Sequence, residues 1–337
     1  MFEFIVMDTD SPDWDSVVRQ AEQFDFHHTS YFHQIDNDFQ SKLLYFKQGE
    51  SFIALPIVIR PIPDTDYFDI TSVYGYAGPI YKFQNDGARD SLKRFFREKF
   101  IEFCRDLNIV SVFSRLHPLI SQADLLTGLG KVIDLNKTVA IDLTISPEEQ
   151  RRAYRKSLKS ELNQLRRKSY RVQHTESKEE IEHFISVYYE TMDRVEAGRN
   201  YYFNNDYFLK FLNNPSFDAR LLVALDGEKV IAGAIFTFAG KIMQYHLAGT
   251  SNKYISDTPM KLILDEARLI GNDSAATTMH LGGGVGGQDD DSLFRFKSGF
   301  SKKFKQFSIW NYIVNEEVYQ KLSAGKESAD FFPLYRL

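Results

Sequence analysis

The sequence predicts an α/β protein of the α+β kind, built as two domains, each a mixed and mostly antiparallel sheet flanked by helices. Three observations carry this. The chain has 337 residues, enough for about two typical domains. Apolar runs of strand-like length alternate with amphipathic helical segments along its whole course. Charge is uneven: residues 1–145 carry 14 basic against 21 acidic side chains, and residues 146–337 carry 27 against 25. The division is expected near 145/146, giving domains 1–145 and 146–337.

Composition narrows the class. Charged residues are 26% and hydrophobic residues 43%, ordinary for an ordered globular chain. No run approaches the ~18 apolar residues of a membrane span, and the acidic start lacks a secretory pattern, so a cytoplasmic location is expected. Cys104 is the single cysteine, which excludes an internal disulfide and a cysteine-rich metal site. His27, His28 and His33 lack the spacing of a helical metal pair. No carboxylate–histidine metal cluster and no tightly bound cofactor are expected.

In the first domain, residues 42–45 and 51–60 read as strands joined at Gly49-Glu50, a hairpin. Short strands 68–74 and 78–83 flank Gly75-Tyr76-Ala77-Gly78. Leu92, Phe95, Phe96, Lys99, Phe100, Phe103 and Leu107 recur at helical spacing over 88–106. Residues 109–116 and 132–143 are strands again, with Pro118 and Gly128–Gly130 between them.

The second domain opens on Ser146-Pro147-Glu148-Glu149, an N-cap, proline and acid combination that starts a helix. Tyr154, Leu158, Leu162 and Leu165 form its apolar stripe. Arg151, Arg155 and Lys159 stand four apart, which places three cations on one face of one helix. Strand 172–175, helix 178–195 and a short helix from 206 to 212 follow. Residues 220–225, 229–238 and 241–248, separated by Asp226-Gly227 and Gly240, read as an antiparallel meander. A helix from Thr258-Pro259 to Ile270, strand 277–281, a glycine-rich loop and strand 304–314 complete the domain.

Four features bear on chemistry. Gly282, Gly284 and Gly287 satisfy a dinucleotide-type glycine spacing. However, no acid lies between Asp291 and Glu316 to hold a ribose, and Gln288 occupies the lysine position of a P-loop. The glycines therefore signal only permissive backbone and close approach. Next comes Leu293-Phe294-Arg295-Phe296-Lys297-Ser298-Gly299-Phe300, which reads either as a lysine held near a reacting group by aromatic packing or as a short amphipathic helix. Residues 151–171 hold nine basic side chains and one acid, Glu161, so the helix is expected to meet an anionic partner. Finally Tyr74-Gly75-Tyr76-Ala77-Gly78-Pro79, Arg115-Leu116-His117-Pro118 and the stretch 188–203, with Thr191, Arg194, Tyr201 and Tyr202, are candidates to line a cleft.

Taken in order, these segments resemble the Fem-type branch of the GNAT-related acyltransferases, which includes peptidoglycan-bridge aminoacyltransferases and polysaccharide-locus acyltransferases. The carrying residues are Tyr74–Pro79, Arg115–Pro118, Arg155–Leu158 with Leu165–Arg167, Thr191–Arg194, His280–Gly284 and Leu293–Phe300. The resemblance implies a pair of GNAT-like domains with an acceptor cleft between them, and transfer of an activated acyl or aminoacyl group to an amine. It implies Phe296 and Lys297 at the reaction centre. Two departures stand out: no long charged helical arm is present, and the loop that cradles coenzyme A pyrophosphate is not legible. The stretch around Gly249, Thr250 and Thr258 offers only a helix N-terminus to a cofactor diphosphate.

The reading that follows is an N-acyltransferase that moves an acyl group from acyl-CoA to a primary amine of a nucleotide sugar or cell-envelope precursor. Arg151, Arg155, Lys159, Tyr76, Arg115, His117, Arg194, Tyr202 and Gly283 are expected to hold the acceptor. Strand 241–249 and Lys297 would stabilise the oxyanion; no general base is identified, and His246 and His117 are the candidates for it. One alternative is an aminoacyl-tRNA-dependent aminoacyltransferase of peptidoglycan-bridge type. Another is a nucleotide- or carbohydrate-binding protein without catalysis. No DNA partner is expected.

Overall fold

A computed structural model describes residues 1–36, 39–284, 291–328 and 331–337. The chain divides into two compact units, Met1–Asn136 with Gln306–Leu337, and Lys137–Lys305. The expected division at 145/146 differs in two ways. The chain enters the second unit within a strand, nine residues earlier, and its last 32 residues return to the first unit.

In chain order the first unit contains β1 (Phe2–Asp8), α1 (Pro12–Gln20), α2 (Ser30–Asp36), β2 (Gln40–Gln48), β3 (Ser51–Pro61), β4 (Phe68–Thr71), β5 (Ile80–Lys82), α3 (Asp86–Asp106) and β6 (Ile109–Arg115). Strand β7 (Lys131–Asp142) carries the chain into the second unit. There follow α4 (Pro147–Arg152), α5 (Lys156–Arg167), β8 (Arg171–Thr175), α6 (Lys178–Arg194), α7 (Asn205–Leu212), β9 (Asp218–Asp226), β10 (Lys229–Ala239), β11 (Ile242–Thr250), α8 (Met260–Asn272), β12 (Thr278–Gly282) and α9 (Ser292–Lys297). Strand β13 (Lys303–Ile313) leads back to the first unit and α10 (Glu316–Leu322). Among the described residues no helix is long and apolar enough to cross a membrane.

The two units share one strand order. In the first it is β1-β2-β3-β4-β6-β13, and in the second β8-β9-β10-β11-β12-β7. Neighbours are antiparallel except β4 with β6 and β11 with β12, which run parallel. Each parallel pair is joined by a crossover helix, α3 or α8, as parallel strands require. The hairpins turn at Gly49, Gly227 and Gly240, all with positive φ.

The second unit packs helices on both faces of its sheet. On one, Leu158, Leu162 and Leu165 of α5 and Ile263, Leu264 and Ala267 of α8 bury against Phe236 and Met243; each such leucine contributes about 1.5–3 kcal/mol. On the other lies α6. Gly233 and Gly249 face each other across β10 and β11, and a Cβ would meet the Phe184 ring at 2.4 Å from Gly233 and the Tyr188 Cα at 2.7 Å from Gly249. These glycines let α6 lie flat on the sheet.

Two local features depart from the sequence expectation, and a third is one of the two readings left open for its segment. Strand β1 and helix α1 were not anticipated: β1 is a partly exposed edge strand whose apolar run, Phe4–Met7, is only four residues long, although Trp14, Val17 and Val18 of α1 are buried. The long basic helix is broken. Arg155 is extended (φ −53°, ψ 139°), and its N–H donates to Gly299 O at 2.8 Å, which turns Tyr154 into the core. Arg151 therefore belongs to α4 and Lys159 to α5, and the three cations do not share one helix face. The Phe296–Lys297 segment is the short helix α9, with Asp291 as its N-cap.

Candidate active site

The parallel pair β11–β12 comes apart. Ile242, Met243 and Gln244 pair with Thr278, Met279 and His280. Beyond them β11 continues to Thr250 and β12 to Gly282, with no further pairing between them among the described residues. Two local causes are visible. Opposite β10, the single residue Ile235 faces both His246 and Leu247, a bulge that bends β11. On the other side, the register of β12 with β7 slips between His280 and Gly282, and Gly282 takes a left-handed φ of 75°. His280 sits fully buried where the strands part, between Gln244 Oε1 and Thr138 Oγ1, both at 2.8 Å.

Lys297 stands at the mouth of this gap. Its Nζ donates to Gly283 O at 2.7 Å and lies 5.6 Å from the centroid of the Tyr245 ring. Gly283 follows the last residue of β12, and Tyr245 is the first residue of β11 past the pairing, so the amine reaches both edges. Lys297 is buried. Loss of hydration pushes its pKa down to about 7, against a weaker upward pull from Asp291. Gly284 is required here for space: a Cβ would meet Asp291 Oδ1 at 2.2 Å. Phe296 is half-buried, packs on the core and meets the Phe300 ring edge-on at 5.8 Å. The glycines Gly286 and Gly287, with Gln288, lie outside the described residues.

His246 is elsewhere. Tyr245 packs with Phe236 on the α8 side of the sheet, whereas the His246 ring stacks on Phe211 of α7 at 4.8 Å. Adjacent strand residues point to opposite faces. A base at His246 would be separated from Lys297 by the sheet, and that assignment is withdrawn.

The candidate cofactor residues are engaged internally. Gly249 packs under α6. The N–H of Thr250 donates to Thr191 Oγ1 at 2.9 Å, that of Ser251 to Ile231 O at 2.9 Å, and that of Asn252 to Glu190 Oε2 at 2.7 Å. Thr258 has a left-handed φ of 56°, and its N–H donates to Ile255 O. Arg194, expected to meet substrate, ties this loop to α6 by donating to Thr250 O and Asn252 Oδ1. Tyr202 donates to Asp193 and stacks beside Tyr189.

The basic segment serves a buried acid that the sequence reading missed. Asp265 of α8 accepts from Tyr154, Arg166 and Arg268 and pairs with Arg151. Arg155 pairs with Glu161, and Lys159 donates to Arg152 O. The expectation that these cations lack counter-charge is corrected for Arg151 and Arg155.

In the first unit, the Tyr74–Pro79 and Arg115–Pro118 segments meet over a buried histidine group. Asp25 Oδ2 lies 3.0 Å from both His27 Nδ1 and His117 Nε2. These three ligand-type atoms fall within 4.8 Å of one another, so a carboxylate–histidine cluster exists where none was expected. Its chemistry is that of a hydrogen-bond network. The Leu119 N–H donates to His117 Nδ1 at 3.2 Å, which leaves the proton on Nε2, the nitrogen a metal would need. Burial pushes the Asp25 carboxyl up, but hydrogen bonds from His117 and His27 outweigh it and hold the group well below the usual range. Gly75 and Gly78 make room for His27 and Gln122: a Cβ would meet their side chains at 2.1 Å and 2.7 Å. Tyr76 is half-buried against His27, His117 and Phe307. Arg115 is exposed, over the Phe113 ring at 5.5 Å. His117 and Pro118 line a cavity of about 250 Å³ with Gln122, Asp124, Gln306 and Ser308.

The sequence of residues 152–298 matches the family described as an acetyltransferase (GNAT) domain. That stretch lies inside the second unit and contains both parted strands and Lys297. The second unit is thus similar to a GNAT-type acetyltransferase domain over most of its length. The protein is accordingly an acyltransferase. No curated protein matches the sequence. Among solved structures, the chain is similar to FemX at 13% identity and a TM-score of 0.72, covering 95% of this chain and 99% of that one. It is also similar to L-PGS from Bacillus licheniformis (14%, 0.59, 92% and 93%). A tandem GNAT protein from the clavulanic acid biosynthesis pathway resembles it as well (8%, 0.50, 94% and 99%). At these identities the likeness is one of fold.

Proposed function

We propose that this acyltransferase moves an aminoacyl group from an RNA ester to a primary amine of a cell-envelope precursor. The observation that carries the donor choice is the loop after β11. A coenzyme A diphosphate needs free backbone N–H groups and positive charge. Here the three successive amides of Thr250, Ser251 and Asn252 are used within the protein, one of them by the Glu190 carboxylate. The Fem-type resemblance of the sequence motifs favours an aminoacyl donor, and the likeness in fold to FemX agrees with that resemblance. The shared strand order of the two units favours reading each as one GNAT-like half.

In this reading the acceptor nitrogen attacks the ester carbonyl, the C–N bond forms, and the C–O bond to the RNA breaks. The proton lost by the nitrogen ends on the released RNA hydroxyl. The carbonyl lies in the gap between β11 and β12, where backbone N–H groups of β11 and the Lys297 ammonium face the developing oxyanion. One such donor is worth about 2.7–4 kcal/mol of transition-state stabilisation. Phe296 holds the Lys297 segment in place through its packing on Phe300. Most of the remaining acceleration comes from aligning amine and ester.

The second reading, acyl-CoA as donor to a sugar amine, is favoured by the acetyltransferase family match. Mass spectrometry separates the two. The enzyme is incubated with an aminoacylated RNA or a panel of acyl-CoAs, and with nucleotide amino sugars and amine-bearing envelope precursors. Amide product from the RNA ester alone supports the proposal; product from acyl-CoA alone overturns it.

A further inference from the structure

We infer that Arg151 and Arg166 form a built clamp for the phosphodiester backbone of RNA, on α4 and α5 of the second unit. The inference rests on the RNA-donor reading above. Its anchor is Asp265, which has 0% exposure. A buried carboxylate needs one counter-charge, and Arg268 supplies it. Arg268 is 4% exposed on its side chain, donates through Nε to Asp265 Oδ1 at 3.0 Å, and spends Nη1 on Pro147 O and Gln150 Oε1. Tyr154 donates to the same carboxylate at 2.8 Å.

Arg151 and Arg166 are therefore surplus to neutralising Asp265. Each reaches Oδ2 with one nitrogen, at 3.5 Å and 2.5 Å, from side chains that are 31% and 41% exposed. Two guanidinium nitrogens on one oxygen stand no more than 6.0 Å apart. The buried carboxylate holds these like charges together and leaves N–H donors turned to solvent, with a net surplus of two positive charges. An anion in front of them relieves the repulsion, and the fork geometry of arginine suits phosphate oxygens.

The surroundings favour a polymer backbone. Lys159, Asn163 and Arg166 recur at helical spacing on α5, and Arg151 joins them by donating to Asn163 Oδ1. From Lys159 to Arg166 the strip runs about 10 Å along the helix, longer than one phosphate group. Cations spaced along one strip in this way suit the successive phosphates of a nucleic-acid backbone.

The test is salt-dependent binding of an uncharged RNA stem with a single-stranded 3′ end, followed by fluorescence anisotropy. Wild type is compared with the double variant Arg151→Gln/Arg166→Gln, whose Asp265 keeps Arg268 and Tyr154. A thermal melt confirms the fold, and Arg167→Gln serves as a fallback comparison on the same helix. The slope of log affinity against log salt should fall by about 1 for each arginine removed. Unchanged affinity and slope in a folded double variant, or no RNA binding by wild type, would overturn the clamp. So would loss of binding to a free nucleoside diphosphate with RNA binding intact. Aminoacyl transfer from RNA with an unaltered KM in the variant removes the clamp and leaves the donor reading standing. Clamp-dependent RNA binding without any transfer keeps the clamp and removes the donor reading.

Discussion

Each unit contains one parallel strand pair, and the two pairs have opposite fates. In the first unit the line between β4 and β6 is sewn shut. Past Thr71 the chain swings back so that Ala77 bridges to Leu116; Ala77 donates to Arg115 O and His117 donates to Ala77 O. Gln122 fills the seam, donating to Ala77 O and Pro79 O and accepting from His117 N. In the second unit β11 and β12 separate after Gln244 and His280, and a lysine takes the place of the amide. One topology thus yields a closed structural seam and an open mouth with a titratable cation. In the proposed mechanism the chemistry resides in the departure from the shared plan.

The largest expected effect comes from removing that cation. Lys297→Met should lower kcat for acyl transfer about 100- to 1,000-fold with little change in KM, since the interaction is made in the transition state; steady-state kinetics with the RNA ester checks this. The same substitution should raise stability. The unfolded lysine titrates near 10.5 and the folded one near 7, so between these values the unfolded chain binds more protons. Stability from this group therefore grows with pH over that window and is lowest below it. At pH 6 the methionine variant should be more stable by on the order of a few kcal/mol, a gain that vanishes above pH 10; urea midpoints at the two pH values measure it.

Gln122→Ala tests the closed seam. It removes the closer of the two acceptors of the buried His117 N–H, which keeps Ala77 O, and takes a donor from Ala77 O and Pro79 O, a cost of about 1–3 kcal/mol. Transfer per folded molecule should not change, and a selective loss of kcat at full stability would show that the seam takes part in chemistry. The smallest effect is expected at His246. His246→Phe preserves the ring on Phe211 and should leave kcat/KM within about twofold; a loss of tenfold or more would restore it as a catalytic candidate.

Much of the fold was legible because periodicity reports burial. The hairpin 40–61, helix α3 and the meander β9–β10–β11 follow directly from their apolar spacing and their glycine turns. Lys297 stood out through its motif, and its burial beside Gly283 O and the Tyr245 ring was not visible there. What escaped depends on partners distant in sequence. Asp265 sits 111 residues from Tyr154 and 99 from Arg166, so the basic run looked unpaired when read alone. His117 meets Asp25 across 92 residues. The break at Arg155 depends on Gly299 O, and the opposite facing of Tyr245 and His246 depends on a strand register that no local pattern prints. The return of the last 32 residues to the first unit likewise follows from pairing of β13 with β6.

In the proposed mechanism an ammonium between two parted strands acts by its charge. The direct measurement is the ratio of kcat/KM for the wild type to that for Lys297→Met, followed from pH 5.5 to 9, in which titration of the acceptor amine cancels. If the charge is what matters, the ratio is large and flat below about pH 7 and shrinks as the lysine loses its proton above it. A ratio that stays constant across the range, or one that grows on the alkaline side, contradicts it.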